Sequence, residues 1–246
     1  MIITLILSYA FALLYYFFLG KRPEASWIYI LFIVAYMWIP GICAWIMAKK
    51  DEIYLPFRCR FSTYLKTGCI SLLFALIPIF LGAFLYEWQP IFIENWKSSV
   101  LSLFFYFLIG LFLGPLVVLG QEMMWRGVLY EKYKHLGFLK ASAWIGLIWG
   151  IWYIPLILLG FNHPEHPVEG IFMTILLTVA VSPLFFYLRE KGHSVLVPTA
   201  FHGVMNAFFG VAFFVFAAPN YLVVGPTGIL GIATYALASI YAWKKR

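Results

Sequence analysis

The chemistry open to this chain rests on six polar side chains set in apolar surroundings: Gln121, Glu122, Arg126, Tyr153, His202 and Asn206. In Gly120-Gln121-Glu122-Met123-Met124-Trp125-Arg126-Gly127 an acid and a base stand four apart, so a helix brings Glu122 and Arg126 onto one face, where they can pair. In Ala200-Phe201-His202-Gly203-Val204-Met205-Asn206 an imidazole and a carboxamide have the same spacing. A carboxylate or an imidazole can take a proton from water near neutral pH, and a carboxamide can donate to an oxyanion. Trp149-Gly150-Ile151-Trp152-Tyr153-Ile154-Pro155 adds a phenol two residues before a proline, where a helix kinks. Each motif also has a plainer reading. The first is a salt bridge anchoring a helix end, the second a polar contact between membrane helices, and the third aromatic packing in a chain that is 21% aromatic.

The elements that must position these groups are membrane helices. The chain has 246 residues, 64% of them hydrophobic and 11% charged, against roughly 45–50% apolar and about 25% charged in an ordinary soluble domain. That composition excludes a soluble globular enzyme. A helix crosses hydrocarbon with about 20 apolar residues. Apolar runs bounded by charge or Pro/Gly clusters predict about eight spans, near Ile2–Leu19, Trp27–Ala48, Thr67–Tyr86, Val100–Gly120, Ala141–Gly160, Ile171–Tyr187, Ser194–Ala217 and Val224–Trp243. The expected architecture is an all-α polytopic bundle forming one membrane domain over residues 1–246. Gly146 and Gly150, one turn apart, predict a close helix contact in the fifth span.

Charge supplies the orientation. Of the 17 Lys and Arg residues, fourteen fall on one side of these spans, within 49–66, 126–140, 189–191 and 244–246, while Lys21, Arg22 and Lys97 fall on the other. Basic residues are retained on the cytoplasmic side, so both termini are expected there. The same rule accounts for the net charge of +7 without nucleic acid, and membrane lipids are the expected surroundings. Nine of the ten acidic residues fall in loops or at span ends; Glu122 alone continues directly from an apolar run, Leu111–Gly120. An ionisable group near hydrocarbon is costly and marks function by default.

Other candidates are weaker. Cys43, Cys59 and Cys69 form no C-x-x-C pair and predict neither a disulfide framework nor a zinc knuckle. His163-Pro164-Glu165-His166-Pro167 reads as a turn on the outer face, because its prolines prevent a helical ligand pair, and no H-E-x-x-H occurs. His135 and His193 sit beside basic residues and read as solvated, and Lys49–Lys66 reads as a partly amphipathic stretch on anionic lipid. Met1–Gly20 lacks a basic n-region and a cleavage site and reads as a retained first span.

The three motifs, in this order, resemble the CPBP family, the CAAX protease and bacteriocin-processing proteins also called Abi. The resemblance covers roughly Gly120 to Asn206, within a core at about 100–217, and extends to Trp125-Arg126-Gly127, Gly150-Ile151-Trp152, Leu159-Gly160-Phe161-Asn162 and His202-Gly203. It implies an eight-helix intramembrane endopeptidase acting near the cytoplasmic leaflet. Eukaryotic members remove the last three residues of prenylated CAAX proteins, and bacterial ones process peptides or confer bacteriocin immunity. The family pattern is E-E-x-x-x-R, then F-x-x-x-H, then H-x-x-x-N. Its first Glu activates water, alone or with a divalent metal such as zinc, and two histidines and the Asn complete the site.

Here the first motif reads Gln121-Glu122-x-x-x-Arg126 and the second Trp149-x-x-x-Tyr153, while His202 and Asn206 stand intact. An amide cannot take a proton from water near neutral pH, and a phenol with a pKa of about 10 is a poor base and a poor zinc ligand. The ligand set for a metal is therefore incomplete. Glu122 lies one residue from the replaced acid, about 100° around an ideal helix, so it can stand in only if the helix is locally distorted. Two functions compete. One is an endopeptidase in which Glu122 polarises water, His202 and Asn206 orient it or the oxyanion, and Tyr153 donates a hydrogen bond. The other is a catalytically impaired relative that holds a membrane peptide or lipidated protein tail in the same cleft, for immunity or regulation. Both predict a polar cleft open to the cytoplasmic leaflet.

Overall fold

A computed structural model describes residues 1–20, 27–87, 94–209, 211, 215–216, 220 and 222–246. Its helices follow the apolar runs: α1 Ile2–Leu19, α2 Trp27–Lys50 and α3 Phe61–Gly82. Then come α4 Trp96–Phe112, α5 Gly114–Glu122, a π-helical turn Met123–Val128 and α6 Leu129–Tyr133. The chain continues through α7 Phe138–Leu158, α8 Pro167–Gly192, α9 Leu196–Ala207 and α10 Ile229–Lys244. Six stretches are long and apolar enough to cross a membrane. α9, with 12 residues, and α10, with 16, fall below that length. Ala217, the expected end of the seventh span, lies outside the described residues, as do Lys21 and Arg22.

The fourth span departs from expectation. Helical structure begins near Trp96 and runs, with small breaks, to Leu136 rather than stopping at Gly120. The run of 41 residues is about twice what the hydrocarbon requires, and it is interrupted where Pro115 occupies the first turn of α5. Proline supplies no backbone N–H, so the helix restarts there. A side chain on Gly114 would come within 2.9 Å of the Gly203 backbone, so this joint is also where α9 presses in, bringing His202 alongside α5.

α7 and α8 form the most extensive contact in the bundle. Its basis is the glycine pair read from the sequence: a Cβ on Gly146 would lie 2.6 Å from the Thr178 carbonyl oxygen, and one on Gly150 the same distance from the Thr178 hydroxyl. Backbones this close allow Trp149, Trp152 and Tyr153 to reach the centre of the bundle, where all three are buried. The kink at Pro155 leaves the Ile151 carbonyl without its helical donor; Tyr9 of α1 donates its hydroxyl there at 2.8 Å, and Tyr36 of α2 donates to the Trp152 carbonyl at 2.8 Å.

Charge is segregated in space as it is in sequence. The N-terminal amine lies 3.8 Å from the Met47 sulfur at the end of α2, Asp51 pairs with Lys132, and Arg246 pairs with Glu190, so both termini share one end with the basic loops. The side chain of Lys132 holds the exposed Asp51 carboxyl below its ordinary range.

Candidate active site

α5 ends at Glu122, and the next six residues form the π turn, in which the Leu129 N–H donates to the Met124 carbonyl five residues back. A π turn inserts residues without changing the helix direction, and such turns recur at functional sites. This one begins after Glu122, so Gln121 and Glu122 themselves stay in regular helix. Every residue from Gly120 to Tyr130 is buried, and the adjacent side chains of Gln121 and Glu122 serve two neighbouring clusters.

In the first cluster the Glu122 Oε1 accepts from Arg126 Nη1 at 3.1 Å and lies 2.8 Å from His202 Nδ1. Arg126 is always charged, so its partner is a carboxylate, and a carboxylate only accepts; Nδ1 therefore carries the proton and donates. The second ring nitrogen of His202, Nε2, is buried without a partner, as is Glu122 Oε2. The guanidinium lies 4.5 Å from the centre of the Trp149 ring and 4.2 Å from that of Phe185, and its Nη2 donates to the Ser182 hydroxyl at 3.2 Å. The same two rings meet the imidazole edge to face, at 5.1 and 5.7 Å. Aromatic faces and a hydroxyl thus replace the water a buried cation needs.

In the second cluster Gln121 has its polar atoms matched. Its Oε1 accepts from the Trp149 indole at 3.0 Å and the Tyr153 hydroxyl at 3.3 Å, and its Nε2 points at the Met37 sulfur 2.8 Å away. Two donors and a soft acceptor suit an amide, and a carboxylate would meet the thioether with no proton to share. Gln121 and Tyr153, which depart from the family pattern, are partners of each other.

Asn206 lies near this group but bonds to none of it. Its Oδ1 is buried and unpartnered, and the residue shares with His202 and Tyr153 a cavity of about 10 Å³, about the room one water needs. The cavity is also lined by Asn162 and Thr227, which precede α8 and α10 at the end away from the basic loops. The opposite, basic end lies beside the π turn. There the Leu55 side chain sits against Gly127, where a Cβ would come within 2.6 Å of it, and Arg189 donates to the Arg126 carbonyl at 2.9 Å while pairing with Glu131 at 3.1 Å. A separate open hollow of about 910 Å³ lies beyond this seal, beside Asp51, Lys132 and Arg189.

The donors do not suit a catalytic zinc, which takes three protein ligands. Among the described residues no three His, Cys, Asp or Glu side chains converge, and the Gln121 carbonyl already accepts twice. Glu122 and His202 are the two candidate ligands, and they are bonded to each other with Arg126 where a metal would supply charge.

Several contributors carried no signal in the sequence. Ser182, Phe185 and Met37 read as span residues, and Arg189 as a cytoplasmic charge, yet it is 6% exposed and clasps the π turn. His135 and His193 are exposed as expected, and the three cysteines are unbridged.

Fold and site together define a polytopic helical membrane protein with a buried carboxylate, imidazole and guanidinium at its centre. Residues 102–208, which carry all six site residues, match the family model described as type II CAAX prenyl endopeptidase Rce1-like, so this part of the chain is similar to that family. No curated protein matches the chain.

Proposed function

We propose that this protein is an intramembrane endopeptidase that cleaves membrane-associated peptides, including lipidated protein tails, with His202 as general base and Glu122 as its orienting partner. The observation that carries the reading is the 2.8 Å contact between Glu122 Oε1 and His202 Nδ1, which leaves Nε2 unpartnered on a residue that lines the cavity. A water in that cavity gives its proton to Nε2 as its oxygen adds to the scissile carbonyl. The imidazolium then passes the proton to the departing amine, restoring the neutral ring and leaving a carboxylic acid and an amine. Glu122 holds the productive tautomer and offsets the positive charge that forms on the ring, and Arg126 fixes the carboxylate. The Asn206 carboxamide and the Tyr153 hydroxyl are the donors available to the oxyanion.

This assignment moves the role of the family's first acid from position 121 to the Glu122–His202 pair, and makes Gln121 and Tyr153 neutral supports. The test is cleavage of prenylated and unmodified peptides by the protein in nanodiscs. His202→Ala is expected to lower the turnover number about 10²–10⁴-fold, compared at equal amounts of folded protein. A variant that turns over at the parent rate would remove His202 from the chemistry.

A further inference from the structure

A threonine inside a helix can satisfy its hydroxyl on its own backbone. Thr67, Thr178, Thr199 and Thr234 each do so, donating to the carbonyl four residues back at 2.6–3.0 Å. Thr174 departs from this pattern. It lies in α8 with a full turn of helix before it, so the Gly170 carbonyl stands at the same spacing, yet its buried Oγ1 has no partner among the described residues. Thr174 lines the cavity beside His202, and two further atoms from residues of that wall, His202 Nε2 and Asn206 Oδ1, are likewise buried without a partner among the described residues. The neighbouring hydroxyl of the wall is committed: Thr178 shares its proton between the Thr174 and Ile175 carbonyls, at 3.0 Å each. A valine at position 174 would fill the same shape with no hydroxyl left over, so packing alone does not account for the threonine.

From this we propose that Thr174 holds the attacking water, in a one-water site completed by His202 and Asn206. The attack rests on the endopeptidase reading; the site itself rests on the three unsatisfied atoms. His202 Nε2 accepts, because Nδ1 carries the ring proton, and Asn206 Oδ1 accepts as well, whereas Thr174 brings an O–H that can donate. A water meets this set by giving one proton to each acceptor and taking the Thr174 proton on one lone pair. Its other lone pair is left for the scissile carbonyl carbon. The cavity of about 10 Å³ is about the room for a single water. In the attack the bond from the water oxygen to carbon forms as the carbonyl π pair moves onto its own oxygen, and the water proton facing His202 passes to Nε2. Thr174 keeps its proton throughout. Its hydrogen bond strengthens while the water oxygen is hydroxide-like, so its weight falls on turnover rather than on peptide affinity. The arrangement leaves the Asn206 N–H₂ for the oxyanion.

The test pairs peptide turnover in nanodiscs with an experimental structure in lipid at a resolution that shows waters. Thr174→Val is expected to lower the turnover number about 10–10²-fold, the weight of one hydrogen bond to a group that is becoming charged, with KM for the peptide little changed and at equal amounts of folded protein. Thr174→Ser keeps the hydroxyl and is expected to recover most of the loss. In the parent, one water is expected within hydrogen-bond distance of Thr174 Oγ1, His202 Nε2 and Asn206 Oδ1, and in Thr174→Val that water is expected to be lost. Turnover at the parent rate in Thr174→Val, or equal losses in the valine and serine variants, overturns the assignment and leaves the endopeptidase reading standing. A parent structure with no water on Thr174 overturns it as well. A water held on these three atoms in a protein that cleaves no peptide keeps the site and removes the endopeptidase reading.

Discussion

Glu122→Gln lowers the turnover number by about 10²–10⁴-fold, the range a positioned acid–base pair supplies, with little change in the affinity for peptide. The substitution keeps shape and removes charge. The new carboxamide oxygen can still accept from His202 Nδ1, so the ring stays in place, but the positive charge that forms on the ring as water is deprotonated meets a neutral partner. If the amide turns the other way, its N–H₂ faces Nδ1 and selects the wrong tautomer, leaving Nε2 protonated and unable to accept. Either orientation impairs the base without emptying the site. Glu122 is fully buried and its Oε1 serves both Arg126 and His202, so no solvent can restore the missing charge. Single-turnover cleavage in nanodiscs measures the loss. An unchanged rate would mean that the carboxylate is structural.

Arg126→Met has the largest expected effect on stability, about 3–5 kcal/mol, because one partner of a buried ion pair is removed and the other is left charged. The guanidinium does three things at once: it pairs with Glu122, donates to Ser182, and lies against the faces of Trp149 and Phe185. Methionine fills the space between the rings and supplies none of the charge. Thermal unfolding in detergent followed by tryptophan fluorescence is expected to show a large fall in the midpoint. Combining it with Glu122→Gln should recover part of the loss, since the stranded charge is then gone. Equal and additive losses in the two variants would mean that the pair is not coupled as the 3.1 Å contact implies.

The pairing of Glu122 with Arg126 was legible in the sequence because its spacing survives the π turn, and the α7–α8 contact was legible because Gly146 and Gly150 face one way on a straight helix. The segregation of charge was legible too, since the basic side chains that the chain keeps out of hydrocarbon lie together at one end. The π turn was not, because Met123 to Val128 are ordinary helix formers and a glycine and nothing in their pattern departs from a regular helix. The inward course of Arg189 was hidden for a related reason: a charge near a span end reads as solvated until the carbonyl and the acid that receive it are known. The position of the cavity was hidden because Asn162 and Thr227, which help line it, lie in connections that carry no periodic signal.

The central claim is that Glu122 and His202 carry the chemistry, while Gln121 and Tyr153 form a neutral support fitted to Trp149 and Met37. The most direct measurement compares turnover of the parent protein with that of Gln121→Glu combined with Tyr153→His, on the same peptides in nanodiscs. The parent is expected to cleave and the double variant to be no faster, because its added carboxylate lies beside a thioether and a second buried acid. A silent parent, with turnover appearing only in the double variant, would contradict the claim.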